Sequence, residues 1–195
     1  MRKVVSFMHV SLDGFVAGPH DELNWILMDE EIFMDATNLD DTDTALYGRV
    51  TYQMMESYWP TVLSNPSSSA RELQHAQWVE NISKIVFSHS LERAEWNNTR
   101  LITKNIGDEI RKLKQEPGKN LMIFGSPGLT HSFMRWGLID EYKLNINPVI
   151  LGRGTSMFEN VSQRVNLRLL SQKKFSSGVI GLRYEAKYAD TNPRH

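Results

Sequence analysis

The stretch Leu121-Met122-Ile123-Phe124-Gly125-Ser126-Pro127-Gly128-Leu129 leads a strand directly into a helix. Its first four residues form a continuous apolar run, which is typical of a strand that is covered on both faces, as in a parallel sheet. Gly125 and Ser126 are small enough for a phosphate to approach the backbone, and a helix that begins near Pro127 directs its first N–H groups to the same point. The stretch therefore predicts either an anion-binding turn or a tight connection that binds nothing.

Strands and helices are predicted to alternate on both sides of this stretch. Short β-branched runs indicate strands at 3–10, 44–47, 84–88, 99–102 and 120–124. Apolar spacing and stop signals indicate helices at about 71–80, 106–113 and 127–136. In 142–146 and 180–188 apolar and polar residues alternate, which predicts a half-exposed, antiparallel edge. This order of elements favours an α/β fold.

Composition and charge exclude several classes of protein. The formal net charge is −1, so there is no basic field that would attract nucleic acid or an anionic membrane. No apolar run approaches the roughly 18 residues of a membrane span, and the first residues are too polar for a signal peptide, so we expect a cytoplasmic protein. The sequence has no cysteine and its six histidines lack metal-ligand spacing, so we expect no metal site, and His9 is expected to be a packed strand residue.

Two further strand ends carry groups that can bind an anion. Gly48 opens the turn after one strand, Arg49 can reach a phosphate, and Thr51 can cap the helix or donate a hydrogen bond. Ser88 and His89 stand at the end of the next strand. Ligands of open α/β sheets bind at the carboxyl ends of strands, so these ends together predict an anion site, although each alone could be an ordinary polar turn.

Two familiar catalytic or binding motifs do not occur. No Gly-x-Gly-x-x-Gly follows the first strand, so the chain is not a standard dinucleotide-binding Rossmann domain. Phe124 occupies the position where a nucleophile elbow needs its first glycine, which argues against a hydrolase that uses Ser126.

Seven short motifs occur in an order that carries a family resemblance. They are SLDGFVAG at 11–18, LYGRVTY at 46–52, IVFS at 85–88, FGSPGL at 124–129, GLIDEY at 137–142, PVILGRG at 148–154 and MF at 157–158. Together they resemble the dihydrofolate reductase superfamily. The closer similarity is to one branch of that superfamily. This branch contains the reductase domain found at the C-terminus of a bacterial riboflavin-biosynthesis enzyme, together with the small stand-alone relatives of that domain.

The resemblance implies a fold and a coenzyme. The fold is a three-layer α/β fold of the dihydrofolate reductase type, with a mostly parallel twisted sheet and an antiparallel C-terminal strand. A single domain is expected over residues 1–190, with a tail at 191–195, and NADPH is expected to cross the carboxyl edge of the sheet. The implied coenzyme-binding residues are Gly48, Arg49, Val50, Thr51, Ser88, His89, Phe124, Gly125, Ser126, Pro127, Gly128 and Leu129.

The resemblance implies fewer residues on the substrate side. Asp13 lies on the first loop, which in this family closes over the nicotinamide, and Trp25 is expected to contact the substrate. Glu30 or Asp29, or a bound water, would be the source of a proton. Alternatively, these acidic residues form an ordinary solvated helix start, where negative charge suits the helix dipole.

The function implied is that of an NADPH-dependent reductase. It would transfer a hydride to a C=N or C=O carbon of a small pteridine- or pyrimidine-like substrate, either as a 5-amino-6-(5-phosphoribosylamino)uracil reductase or as a dihydrofolate reductase. The alternative is a non-catalytic nucleotide-binding or regulatory protein that keeps the coenzyme groove. The expected partners are a small-molecule substrate and a second copy of the chain, bound through the C-terminal strands, but neither nucleic acid nor a membrane.

Overall fold

The structure is a computed structural model and describes residues 1–37, 40–159, 161 and 164–188. The strands in these ranges are β1 (Val4–Ser11), β2 (Phe15–Ala17), β3 (Thr42–Gly48), β4 (Ser83–Phe87), β5 (Thr99–Ile102), β6 (Asn120–Phe124), β7 (Glu141–Asn147), β8 (Thr155–Ser156), β9 (Asn166–Lys174) and β10 (Ile180–Lys187). The helices are α1 (Glu30–Thr37), α2 (Arg49–Ser64), α3 (Ala70–Asn81), α4 (Ile106–Gln115) and α5 (Pro127–Arg135).

Eight of these strands form one sheet in the order β5-β4-β3-β6-β1-β7-β10-β9, and β2 pairs with β8 in a separate ribbon. Every neighbouring pair from β5 to β7 is parallel, whereas β10 is antiparallel to both β7 and β9. The predicted architecture, a mostly parallel sheet with an antiparallel C-terminal strand, is confirmed.

The edge of the sheet differs from the prediction. β7 lies inside the sheet and is parallel to β1, and β10 also has a strand on each side. The alternation in β7 does not mark solvent exposure, because its polar residues Glu141, Asn145 and Asn147 are buried beneath other elements. The edge strand on this side of the sheet is β9, which the sequence analysis missed because its exposed, largely polar residues lack an apolar period.

Helices cover both faces of the sheet, as the predicted three-layer fold requires. On one face α4 and α5 bury Ile110 and Phe133 in the main core. On the other face Tyr52 of α2 and Val79 of α3 pack in a second core, and Ile32 of α1 packs against the chain between β9 and β10. Both layers of helices therefore rest on apolar residues of the same sheet.

We call the face beneath α1 and α3 the cleft face. Side chains alternate along a strand, so Phe7 and His9 of β1 point to this face, whereas Met8 and Val10 point into the main core on the other side. Asn145 is the register partner of His9 on β7 and lies on the cleft face as well.

Residues 189–195 lie outside the described residues, so the domain boundary at 190 and the tail at 191–195 stay predictions. In the part of the chain that the structure describes, no helix has both the length and the apolar composition needed to cross a membrane.

Candidate functional site

The three strand ends that the sequence analysis selected lie side by side. β3 is the neighbour of both β4 and β6, and its last residue, Gly48, is in register with Phe87 at the end of β4. Because the carboxyl ends of parallel strands meet at one edge of a sheet, the turns that begin at Gly48, Ser88 and Gly125 face the same region. The structure therefore brings the predicted coenzyme-binding segments together.

The turn between β6 and α5, formed by Gly125 and Ser126, has an unusual backbone. Both residues are left-handed, with φ of 59° and 53°, a conformation that costs a non-glycine residue about 1–3 kcal/mol. Ser126 is nevertheless buried, and its Oγ accepts a hydrogen bond of 3.0 Å from the backbone N–H of Gly48. This bond joins the turn after β6 to the turn after β3.

The same turns leave the starts of two helices close together and uncapped. A Cβ at Gly48 would lie 3.8 Å from Cβ of Leu129, so the start of α2 adjoins the first turn of α5. Neither helix receives a side-chain cap, and the first backbone N–H groups of a helix have no partner within the helix. Those of Val50 and Thr51 in α2, and of Gly128 and Leu129 in α5, are therefore available to an anion, and both helix dipoles favour one there.

Basic side chains follow the neighbouring strand ends. Arg49 is exposed and donates to Oε1 of Gln53 at 3.1 Å. His89 is also exposed, with Nδ1 2.7 Å from the carbonyl oxygen of Thr103, which directly follows β5. Lys104 is exposed at the same strand end and was missed by the sequence analysis, although its place after a parallel strand could have indicated it.

Ser88 stabilises the turn that follows β4. Its Oγ accepts hydrogen bonds from the backbone N–H groups of Ser90, at 3.1 Å, and Leu91, at 2.9 Å. The hydroxyl oxygen is buried within this turn, so it shapes the loop that presents His89.

Asp13 ties the first loop to the loop after β7. Its carboxylate accepts hydrogen bonds from Oγ of Ser11 at 2.7 Å, from the N–H of Leu151 at 3.1 Å and from the N–H of Gly152 at 2.7 Å. These bonds, above all the one from Ser11, lower the pKa of Asp13. The predicted substrate residue thus holds two loops together at the carboxyl edge.

The remaining substrate-side predictions lie before and at the start of α1. The indole of Trp25 donates to the carbonyl oxygen of Glu22 at 3.0 Å. Asp29 caps α1 by accepting the N–H of Ile32 at 2.8 Å, which lowers the pKa of its carboxyl. Glu30 is mostly exposed and forms an ion pair with Arg71 of α3. Each of these side chains therefore has a partner within the chain.

A chain of aromatic rings runs along the cleft face, and sequence analysis did not identify it. Ring centroids are 6.2 Å apart between Phe7 and Phe124, 5.9 Å between Phe124 and Trp78, 5.7 Å between Trp78 and His75, and 5.4 Å between His75 and Phe33. Burial lowers the pKa of His75 to about 4, so its ring is neutral near neutral pH.

A cavity of about 580 Å³ opens between α1 and α3 at the end of this chain of rings. Its apolar wall is formed by Phe33, His75 and Trp78, and its charged wall includes Asp35, Arg71 and Lys173. Polar and charged residues predominate in its lining, which also includes Thr42 and Lys119 at the amino ends of β3 and β6. In the ranges that the structure describes, no cluster of three or more His, Cys, Asp or Glu side chains could hold a metal ion.

Comparisons with known proteins agree with this architecture. The family model of the RibD C-terminal domain matches residues 2–181. The uncharacterized protein YyaP of Bacillus subtilis is 36% identical over 184 residues, which cover 94% of each chain. A pyrimidine reductase-like protein from Corynebacterium diphtheriae superposes with a TM-score of 0.65 at 14% identity, over 96% of this chain and 93% of that one. Dihydrofolate reductase from Enterococcus faecalis, complexed with NADP(H), gives 0.62 at 13% identity, over 95% and 97%.

The fold is therefore of the dihydrofolate reductase type, and the family is reductase-like. The chain belongs to the RibD C-terminal domain family. The family resemblance that the sequence motifs carried is confirmed. The roles of the individual site residues stay predictions.

Proposed function

We propose that the protein is an NADPH-dependent reductase that transfers a hydride to a C=N or C=O carbon of a small pteridine- or pyrimidine-like substrate. The observation that carries the proposal is the pair of uncapped helix starts, α2 and α5, which the bond from Gly48 to Ser126 holds side by side. The N–H groups of two such helix starts can donate hydrogen bonds to both phosphates of a pyrophosphate group. The E. faecalis dihydrofolate reductase, which has the same fold, is complexed with NADP(H).

The coenzyme phosphates would be bound mainly by backbone groups. The pyrophosphate would accept hydrogen bonds from the N–H groups of Val50, Thr51, Gly128 and Leu129. Ser126 adds a hydroxyl donor, because its oxygen accepts the Gly48 N–H and its proton can point toward the ligand. Phe124 and Pro127 flank this turn, and Pro127 begins the helix at a position where no N–H is needed.

The 2′-phosphate of the adenosine, which NADPH has and NADH lacks, would lie beside the basic cluster formed by Arg49, His89 and Lys104. All three side chains are exposed at adjoining strand ends. Arginine binds phosphate through paired N–H groups, so Arg49 is the strongest candidate for preference between NADPH and NADH. When bound, the coenzyme supplies the hydride.

The protein's own share in the reaction is to position the substrate and to provide a proton. Asp29 is poorly suited to hold one, because its cap hydrogen bond lowers its pKa. We therefore propose Glu30, or a water molecule beside it, as the proton source, since Glu30 reaches from α1 toward Arg71 on the wall of the cavity. Asp13 would help to form the substrate site by holding the first loop against the loop after β7.

Coenzyme preference tests the proposed site. Calorimetry should give tighter binding of NADPH than of NADH, and Arg49→Ala should narrow the difference by about tenfold or more, because a charged hydrogen bond contributes about 1.5–3 kcal/mol. Arg135→Ala is the matched control, since this exposed arginine lies at the opposite end of α5. Equal affinity of the unmodified protein for both coenzymes would contradict the assignment of Arg49.

Substitution of Glu30 tests the proton source. On any substrate that supports NADPH oxidation, Glu30→Gln should lower turnover roughly 10²-fold or more, the usual scale for the loss of a general acid, with coenzyme affinity unchanged. Glu31→Gln is the control, because Glu31 is on the same turn but bonds to Ser176 and Lys173. If turnover in Glu30→Gln equals that of the control, Glu30 has no part in proton transfer.

A screen of turnover separates the reductase from the alternative, a nucleotide-binding protein without catalysis. NADPH consumption should be measured with folate, pyrimidine, quinone and carbonyl substrates. The proposal expects oxidation of NADPH with at least one pteridine- or pyrimidine-like compound. Tight NADPH binding without turnover on any of them would favour the regulatory alternative.

We also propose a homodimer that forms through β9. This edge strand is exposed along its length and carries Leu167, Leu169 and Leu170, each of which is 39–47% exposed. An exposed edge with apolar side chains is a template for pairing with a second copy across a twofold axis. Tyr184 and Tyr188, the tyrosines of the alternating segment 180–188, lie on or just after the inner strand β10 and are only partly exposed, so they contribute less to this contact than β9 does.

Light scattering tests the dimer. At micromolar concentration the mass should be twice the 22.5 kDa of the chain. Leu169→Lys should shift the protein to monomer, whereas Leu63→Lys, a change of an exposed leucine on α2, should not. A mass of 22.5 kDa for the unmodified protein would refute the proposal.

A further inference from the structure

The polar atoms of two side chains on the cleft face are buried without hydrogen-bond partners. Within the part of the chain that the structure describes, both ring nitrogens of His9 and both polar atoms of the Asn145 amide lack a partner. The two residues are in register on the neighbouring parallel strands β1 and β7, so their side chains lie next to each other. Asn145 is fully buried, at 0% exposure.

Such a pair is unusual in the interior of a protein. Nearly all buried polar groups are hydrogen-bonded, because a buried donor or acceptor without a partner loses its bonds to water and gains none in return. Leucine or valine would fill these positions at no such cost. Unpaired polar atoms at these two positions are suited to a partner that binds from outside the chain.

The surroundings of the pair connect it to the coenzyme edge. The ring of His9 contacts the ring of Phe7 edge-on, with centroids 5.4 Å apart, and Phe7 contacts Phe124. Phe124 is the last residue before the turn of Gly125 and Ser126. A planar ring that rests on these aromatic side chains would therefore have one edge at His9 and Asn145 and another near the coenzyme.

The pair presents hydrogen-bonding groups but no charge. Burial lowers the pKa of His9 to about 4, so at neutral pH the imidazole has one donor and one acceptor nitrogen. The amide of Asn145 also offers donors and an acceptor. The ammonium of Lys143, the next cation on this face of β7, is neutralised by Asp35 at 3.1 Å. A neutral group that carries N–H beside C=O, as in a lactam or ureide, matches this arrangement.

The segment before α1 is hydrogen-bonded to Asn147, which lies two residues after Asn145 on the same face of β7. The N–H of Leu27 donates to Oδ1 of Asn147 at 2.9 Å, and Nδ2 of Asn147 donates to the carbonyl oxygen of Asn145 at 3.1 Å. Leu27 and Met28 are partly exposed on this segment.

We propose that His9 and Asn145 bind the polar edge of the substrate, a planar heterocycle that carries N–H beside C=O. The proposal rests on the proposed function for the reaction that follows binding, but the binding itself is tested without coenzyme. It changes the expectation for His9, which the sequence alone indicated to be an ordinary packed strand residue.

The first test uses the stability of the ligand-free protein. Because Asn145 has no partner to lose, Asn145→Leu should leave the thermal unfolding midpoint unchanged or raise it. Asn147→Leu is the matched control on the same strand and face, and it should lower the midpoint because it removes the bonds to Leu27 and Asn145. If Asn145→Leu lowers the midpoint as much as the control does, Asn145 is a structural residue and the proposal is wrong.

The second test measures binding of two probes by calorimetry. The probes are lumazine, whose ureide has two N–H groups, and 1,3-dimethyllumazine, in which both of these nitrogens are methylated. The unmodified protein should bind lumazine about tenfold or more tightly, because methylation removes the donors that a polar site requires. Asn145→Leu and His9→Phe should each abolish this preference. Ser6→Ala, on the other face of β1, should keep it, because Ser6 pairs with Thr130.

Two results would overturn the proposal. One is equal affinity of the unmodified protein for both probes, and the other is the lack of saturable lumazine binding. NADPH affinity should be the same in Asn145→Leu as in the unmodified protein. Since neither test uses coenzyme, a failure of the unmodified protein to bind NADPH would contradict the proposed function alone.

Discussion

The hydrogen bond from the N–H of Gly48 to Oγ of Ser126 fixes the geometry on which the candidate site depends. The two residues are 78 positions apart in sequence, yet the bond joins the turn after β3 to the turn after β6. The pairing of the two strands brings these turns to one edge, and the bond sets their spacing. It also offsets part of the cost of the left-handed backbone at Ser126, which a glycine would adopt freely. Two helix starts are thereby held as one anion-binding surface.

The edge of the sheet and its cleft face suit different ligands. The edge combines backbone N–H groups with the cations Arg49 and Lys104 and the imidazole of His89, so it suits a phosphorylated coenzyme. The cleft face has aromatic rings and neutral polar groups, which suit an uncharged planar ring. Phe124 belongs to both, because it contacts Phe7 on the cleft face and leads into the turn at the edge. This continuity gives a physical route by which two ligands could meet.

Local features were predictable from the sequence, whereas long-range pairings were not. The strand at 120–124 and the turn after it are specified by adjacent residues, and the structure has them where they were predicted. The edge strand β9 was missed because its residues are exposed and carry no apolar period. The alternation in β7 was correct as a pattern but not as a sign of exposure, since buried polar residues such as Asn145 give the same period as solvated ones. That His9 and Asn145 are neighbours can be recognised only when the register of β1 and β7 is known.

The central claim is that the coenzyme binds at the two joined helix starts, and amide NMR spectra test it most directly. Addition of NADPH should shift the N–H signals of Val50, Thr51, Gly128 and Leu129 together and with one affinity. The N–H of Glu72 at the start of α3 should not move, because Ser69 already caps that helix. Ser126→Ala should weaken all four shifts, since the variant loses the bond to Gly48 that joins the turns. If NADPH leaves the signals of these four amides unmoved, or shifts only the signals of residues elsewhere in the chain, the account is contradicted.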